Sequence, residues 1–195
     1  MKRKWILVAG AALLVSVMAM GLTLAFLRDQ KQVTNTFTVG NVKITLTEPL
    51  WEQPETVEPG VAYAKDPTVT NVGANDAWIR VNVTVSDWAA FQTAAAAHGL
   101  TDLGAIFGGH DEALWTRAAI IENADDTVTY SYYYNTILAA GATTGALFTS
   151  VTVPALFTSE EMEALGNDFS ITITADAIQA SGFLTPADAF AAFDA

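Results

Sequence analysis

AWIRVNVTVS, residues 77–86, is the stretch that decides the fold. Branched apolar residues alternate here with polar ones: Ile79, Val81, Val83 and Val85 on one face, Arg80, Asn82 and Thr84 on the other. Alternation with a period of two is typical of a β-strand that buries one face in a core. We therefore predict a strand over this stretch, at the centre of a sheet.

Similar apolar–polar alternation recurs on both sides of this strand. It predicts strands at 36–39 and 42–47, across 61–73 with an interruption near Pro67, at 114–122 and 127–135 as a hairpin, near the end of 141–154, and at 169–181. Roughly seven or eight short strands without regular βαβ alternation favour a mainly antiparallel two-sheet sandwich. The segment 101–109, which shows no alternation, is predicted to be a loop.

Short helices are predicted in the connections between strands. Residues 88–98 follow a possible cap at Ser86 and Asp87, and Gly99 stands where helices commonly end. Thr158 with Glu161 forms a capping-box pattern before 159–165. Pro at the first helical position predicts a C-terminal helix over 186–193.

The chain begins with a long apolar run, residues 5–27, preceded by Lys2, Arg3 and Lys4. About 20 apolar residues are enough for a helix to cross a bilayer, and the basic triplet would stay on the cytoplasmic side. Cleavage after Ala25 would make residues 1–25 a signal peptide, but the run is also long enough to remain as an anchor. On either interpretation, the β-sandwich domain over 26–195 works outside the cytoplasm.

Charge and cysteine content exclude several classes of protein. The chain after position 25 holds six basic and 21 acidic residues, a formal net charge of −15. Such an acidic surface disfavours nucleic acid as a partner. Because the sequence contains no cysteine, disulfides and thiolate metal sites are impossible.

The sequence offers no catalytic constellation. It lacks the HExxH and GxSxG patterns of zinc proteases and serine hydrolases, and we predict no cofactor. His98, His110 and Glu112 are the only weak candidates for a metal site, since zinc needs three or four nitrogen, oxygen or sulfur ligands. The alternative is that both histidines are solvated loop or helix-end residues. The sequence therefore favours a binding or structural role over catalysis.

Several stretches, taken in order, resemble the TasA/camelysin family, exported proteins of Gram-positive bacteria with a signal peptide of the type processed by the SipW signal peptidase. They are TLAFLRD (23–29), NTFTVGNVKITL (35–46), VEPGVAYAKDPTVTNVGANDAWIRVNV (57–83), GATTGALFTSVTVP (141–154) and FSITITADAIQASGF (169–183). The resemblance implies a jelly-roll sandwich, secreted to the cell surface or extracellular matrix, that forms biofilm fibres. Its partners would be copies of itself or a paralogous fibre subunit, with a signal peptidase during export.

In that family the mature N-terminal segment of one subunit completes the sheet of the next. The corresponding segment here is 26–39, and its apolar residues Phe26, Leu27, Phe37 and Val39 are the expected assembly residues. Pairing of this segment within its own subunit is the alternative. Two other functions stay open: a camelysin-like cell-surface metalloendopeptidase, for which no zinc motif is present, and a membrane-anchored binding domain without catalytic activity.

Overall fold

The long alternating stretch forms β4 (Ala77–Val85), which lies inside a four-stranded antiparallel sheet. The strand order is β6 (Trp115–Glu122), β7 (Val128–Tyr134), β4, β9 (Ile171–Gln179). This computed structural model describes residues 41–52, 57–101, 103–166 and 169–195. The prediction of a central strand is confirmed, because β4 is hydrogen-bonded to a neighbour on each side.

Five shorter strands form two smaller sheets. β1 (Ile44–Thr47) pairs with β3 (Thr68–Asn71), while β8 (Ser150–Thr152) lies between β2 (Ala62–Ala64) and β5 (Phe107–Gly108). All of these pairs are antiparallel. The predicted interruption near Pro67 therefore marks the place where the chain leaves one sheet and enters another.

One hydrophobic core joins side chains from all three sheets. The alternating residues of β4 are at most 1% exposed, and β3, β5, β7 and β8 add buried side chains to the same cluster: Val69, Phe107, Val128, Tyr130, Tyr132 and Val151. The described part of the chain is thus mainly β, with antiparallel sheets and three short helices. This arrangement is consistent with a β-sandwich.

The first helix, α1 (Trp88–Ala97), covers one part of this core through Trp88 and Phe91. The predicted cap at its N-terminus is wrong. Asp87 makes no capping hydrogen bond, because its carboxylate instead accepts a 2.6 Å hydrogen bond from Ser86 Oγ. The cap comes from Asp126 in the β6–β7 turn, which accepts hydrogen bonds from the backbone N–H groups of Trp88 and Ala89.

Other helix boundaries follow the predictions. Gly99 ends α1 at φ +69°, and its N–H and that of Leu100 bond back to the carbonyls of Ala96 and Ala95, as in a Schellman motif. The capping box of Thr158 is present at the start of α2 (Ser159–Leu165).

The third helix, α3 (Pro186–Phe193), has the predicted bounds and begins with proline after the cap residue Thr185. The predicted loop at 101–109 needs correction, since it contains a 3-10 turn (Leu103–Ile106) and the strand β5. Two residues are too short a strand to show alternation. Phe107 is held in the sheet by pairing with Val151, which is distant in sequence.

The export segment 1–25, the segment 26–39 and the four expected assembly residues lie outside the described residues. Among those that are described, no helix has the length and apolar character needed to cross a membrane.

Candidate functional site

The core-facing side of β9 is only partly covered. Its register with β4 places four side chains on the core face, each opposite a β4 residue that is at most 1% exposed. These four are nevertheless only partly buried: Ile171, Ile173, Ala175 and Ala177. The core therefore covers β4 completely and covers β9 only in part.

β1 shows the same incomplete burial. Ile44 and Leu46 on β1, and Val42 just before it, pack against the same core and are only partly buried. β1 pairs with β3 and comes close to β9, yet no strand pairing joins β1 to β9. Within the described part of the chain, β9 pairs only with β4, so the backbone N–H and C=O groups along its other edge have no ladder partner.

A cavity of about 380 Å³ lies at the start of β9, bordered by β2 and β8. Its apolar lining includes Trp51, Val151, Val153, Phe169 and Ile171. The space continues the partly covered apolar surface of β9 toward the three-stranded sheet.

The same cavity contains one charge pair. Lys65 is 5% exposed, and its Nζ lies 2.8 Å from Glu48 Oε1 and 4.1 Å from the centre of the Trp51 ring. A buried lysine needs such a partner, because an unpaired charge would carry a large desolvation cost. The cavity is therefore electrically neutral here, and it suits an apolar occupant better than an ion.

An open strand edge beside uncovered apolar side chains can accept a further β-strand. A further β-strand would pair with the free edge and place alternate apolar side chains over the incomplete core. We define β9, β1 and this cavity as the open side of the sheet. The shape and chemistry of this surface are those of an acceptor for a strand.

The opposite face of the sheet is covered by α3. Trp78 and Phe190 lie in a second, smaller apolar cluster there, and the Phe190 ring stacks on Tyr133. Arg80 donates hydrogen bonds from Nε to Asp176 on β9, at 2.9 Å, and from Nη1 to Asp194 at the end of α3, at 2.6 Å.

These contacts link β4, β9 and α3 through one guanidinium. The hydrogen bonds from Arg80 lower the pKa of Asp194 below its usual range, and the same bonds raise the pKa of Arg80. We call this set Arg80, Asp176 and Asp194 the arginine clamp.

The two histidines lie in different places. His98, at the end of α1, has its Nε2 2.9 Å from Glu161 Oε2 at the start of α2. The backbone N–H of Thr158, followed by the His98 side chain, lowers the pKa of Glu161 through hydrogen bonds to its carboxylate. His98 therefore joins two helix ends.

His110 is held by other contacts. Its Nδ1 lies 2.9 Å from the Leu147 carbonyl oxygen, and its ring centre is 5.2 Å from that of Tyr132. Glu112 lines the same cleft as His110, whereas His98 does not. Across the described ranges, no group of three histidine, aspartate or glutamate side chains is placed to hold a metal ion.

Sequence reasoning identified β9 as a strand but missed its uncovered face. The alternation of 169–181 reports that one face is apolar, whatever covers that face in the folded protein. Two of the four core-facing residues, Ala175 and Ala177, are small, which is the one local feature that distinguishes β9 from β4.

The chain matches no protein-family model, no curated protein and no solved structure.

Proposed function

We propose that this protein is an exported structural subunit that assembles into extracellular fibres by β-strand addition. In this proposal the signal peptide 1–25 is removed, and segment 26–39 of one subunit lies on the open side of the next. The observation that carries the proposal is the incomplete burial of Ile171 and Ile173 beside the free edge of β9. We further propose that the completed sandwich has jelly-roll topology.

The chemistry of segment 26–39 suits this site. Phe37 and Val39 alternate with threonines, so one face of an added strand would be apolar and the other polar. Burying each of these two side chains would contribute about 1.5–3 kcal/mol before the cost of ordering the segment. The backbone of the added strand would form hydrogen bonds with the N–H and C=O groups along the open edge of β9.

Addition between subunits leads to filaments. The donated segment and the surface that accepts it are different parts of the chain, so the contact is head-to-tail, and contacts of this kind propagate as filaments when they do not close into a ring. The same strand could instead fold back on its own open side, since segment 26–39 directly precedes β1. That alternative gives a monomer, and it is the one that an experiment must separate from assembly.

Engineered cysteines separate the two arrangements, because the natural chain has none. Each variant is the full chain with a single cysteine, exported by a bacterial host and purified from the medium. In one set the cysteine replaces Thr36 or Thr38. In the other set it replaces Thr172 or Thr174, which are exposed on β9. Neighbouring strands bring such pairs within disulfide reach. We expect mild oxidation of a mixture of two single variants to give a covalent dimer joining unlike chains.

The matched control is a cysteine at Thr116, an exposed position on β6 at the other edge of the sheet. It should not form a disulfide with the N-terminal positions. Disulfides formed only within double variants at high dilution would show that the segment pairs with its own subunit. Disulfides formed with Thr116 instead would show that the acceptor is β6.

A further inference from the structure

A second cavity lies away from the open side, at the beginning of β6. Its volume is about 450 Å³, and we call it the His110 cleft. The β6–β7 register places Trp115, Arg117, Tyr132 and Tyr134 on one face of the sheet, because Trp115 is opposite Tyr134 and Arg117 is opposite Tyr132. The segment that carries Phe107 and His110 closes another side.

The base of the cleft is rigid and aromatic. Trp115 is 0% exposed, and its indole N–H donates a hydrogen bond to the Gly145 carbonyl. Phe107 and Tyr132 are also buried, and Phe107 stacks on Phe148 with ring centres 4.9 Å apart. Side chains held in this way lose little entropy when a ligand binds.

Arg117 brings a positive charge to this site. It is exposed on β6, just before the irregularity at which the β6–β7 register shifts. No ion pair or side-chain hydrogen bond satisfies its guanidinium among the residues that the structure describes. A planar guanidinium with free N–H donors is suited to bind a carboxylate through two parallel hydrogen bonds.

His110 supplies a hydrogen-bond acceptor. The Leu147 carbonyl can only accept, so the 2.9 Å contact assigns the proton of the neutral ring to Nδ1. The lone pair is then on Nε2, which is available to a hydroxyl group in the cleft. Glu112 lines the same cleft, and its exposed carboxylate is a second acceptor.

We propose that the His110 cleft binds a hydroxylated carboxylate of about the size of one sugar ring, such as a uronic acid. Arg117 pairs with the carboxylate, and His110 Nε2 and Glu112 accept hydrogen bonds from ring hydroxyls. The cleft is large enough for such a ring, since ligand cavities typically span about 300–1,000 Å³. The acidic surface of the protein repels long polyanions, so we expect single units or chain ends to bind rather than the interior of a charged polymer.

The test is calorimetric titration of the exported protein with D-glucuronate, and with D-glucose as the probe that lacks the carboxylate. We expect binding of glucuronate and at least tenfold weaker binding of glucose. Arg117→Gln should weaken glucuronate binding about 10- to 100-fold, because a charge-assisted pair is lost. His110→Phe keeps an aromatic ring beside Tyr132, removes the acceptor, and should weaken binding several-fold.

The matched control is Lys43→Gln, which removes an exposed positive charge outside the cleft and should leave the affinity unchanged. Equal thermal melting of all variants checks that the fold is intact. Absence of glucuronate binding, or equal affinity of Arg117→Gln and the parent, would overturn the proposal.

Glycine is the third probe, because Arg117 and Glu112 together could hold a zwitterion. Binding of glycine that is lost in Glu112→Gln, with no binding of glucuronate, would also overturn the proposal. Glu112→Gln should keep glucuronate binding, since an amide oxygen still accepts a hydroxyl hydrogen bond. These titrations are independent of fibre formation, so their outcome is separate from that of the proposed function.

Discussion

β7 and β9 flank the same central strand and face the same core, yet their side chains are buried to different extents. On β7, Val128, Tyr130 and Tyr132 are at most 5% exposed. On β9, the corresponding residues, such as Ile171 and Ile173, are only partly buried. Distance from the centre of the sheet cannot explain the difference, because each strand is directly hydrogen-bonded to β4.

The difference comes from what lies beside and above each strand. β7 has β6 on its far side, and aromatic rings from α1 and β5 cover its core face, with Trp88 and Phe107 both packed against Tyr130. β9 has no neighbour on its far side among the described residues, and β1 approaches it without pairing. The described chain thus completes its own core over β7 and covers the core face of β9 only in part.

The largest expected effect is on the β7 side. Tyr130→Ala removes a ring that is 2% exposed and should lower the free energy of unfolding by about 3–5 kcal/mol, since a cavity remains beneath α1. Urea denaturation would measure the change. Tyr130→Phe, which keeps the ring, should lower the free energy of unfolding much less. A decrease below about 1 kcal/mol for Tyr130→Ala would show that this side is not tightly packed.

The arginine clamp is expected to have the next largest effect, because it ties β9 to α3 on the outer face, and β9 has only β4 as a strand partner within the described ranges. Arg80→Met keeps the aliphatic stem but leaves Asp176 without its cation, and should lower stability by about 1–3 kcal/mol. Amide hydrogen exchange in α3 should become faster. Unchanged protection of Phe190 would mean that apolar packing alone holds this helix.

Ile173→Ala tests the uncovered face directly. In the unassembled subunit it should cost only about 1–2 kcal/mol, whereas the matched change Ile79→Ala, at a fully buried position on β4, should cost about 2–5 kcal/mol. In the proposed fibres the cost of Ile173→Ala should rise, because the added strand would cover this side chain. Equal costs in the unassembled subunit would remove the contrast between the two sides.

The smallest expected effect concerns the contact between α2 and α1, the helix whose Trp88 covers β7. Hydrogen bonds from the Thr158 N–H and from His98 lower the folded-state pKa of Glu161 from its ordinary value of 4.5, so the contribution of this carboxylate to stability is complete above that value. That contribution is lost as the pH falls below this value through the folded pKa. The stability difference between the parent and Glu161→Gln should therefore narrow from pH 7 to pH 3.

Urea midpoints measured at several pH values would follow this narrowing. Glu160→Gln removes a carboxylate from the same helical turn without touching the Thr158 and His98 contacts, and it serves as the control. A constant difference between the parent and Glu161→Gln across this range would contradict the assignment.

Features that depend on neighbours in sequence were predictable. The alternation of 77–86 gave β4, the Thr158–Glu161 spacing gave the start of α2, and Pro186 gave the start of α3. Each of these signals acts over two to four residues, through side-chain direction or a local hydrogen bond.

Features that depend on partners distant in sequence were not predictable. Asp126 caps α1 from the β6–β7 turn, and Phe107 is a strand residue only because Val151 lies beside it. Arg117 and His110 share a cleft because the β6–β7 register and the loop after β5 bring them together. No spacing in the sequence reports such contacts.

The sequence by itself determined a cysteine-free, acidic chain of short antiparallel strands and short helices, because period, caps and composition are properties of local stretches. Only the tertiary structure decided which apolar faces are covered. β4, β7 and β9 each carry a half-apolar pattern, but burial depends on the elements that pack above and beside a strand. The partly open face of β9, on which the proposed assembly depends, is for that reason a property of the fold.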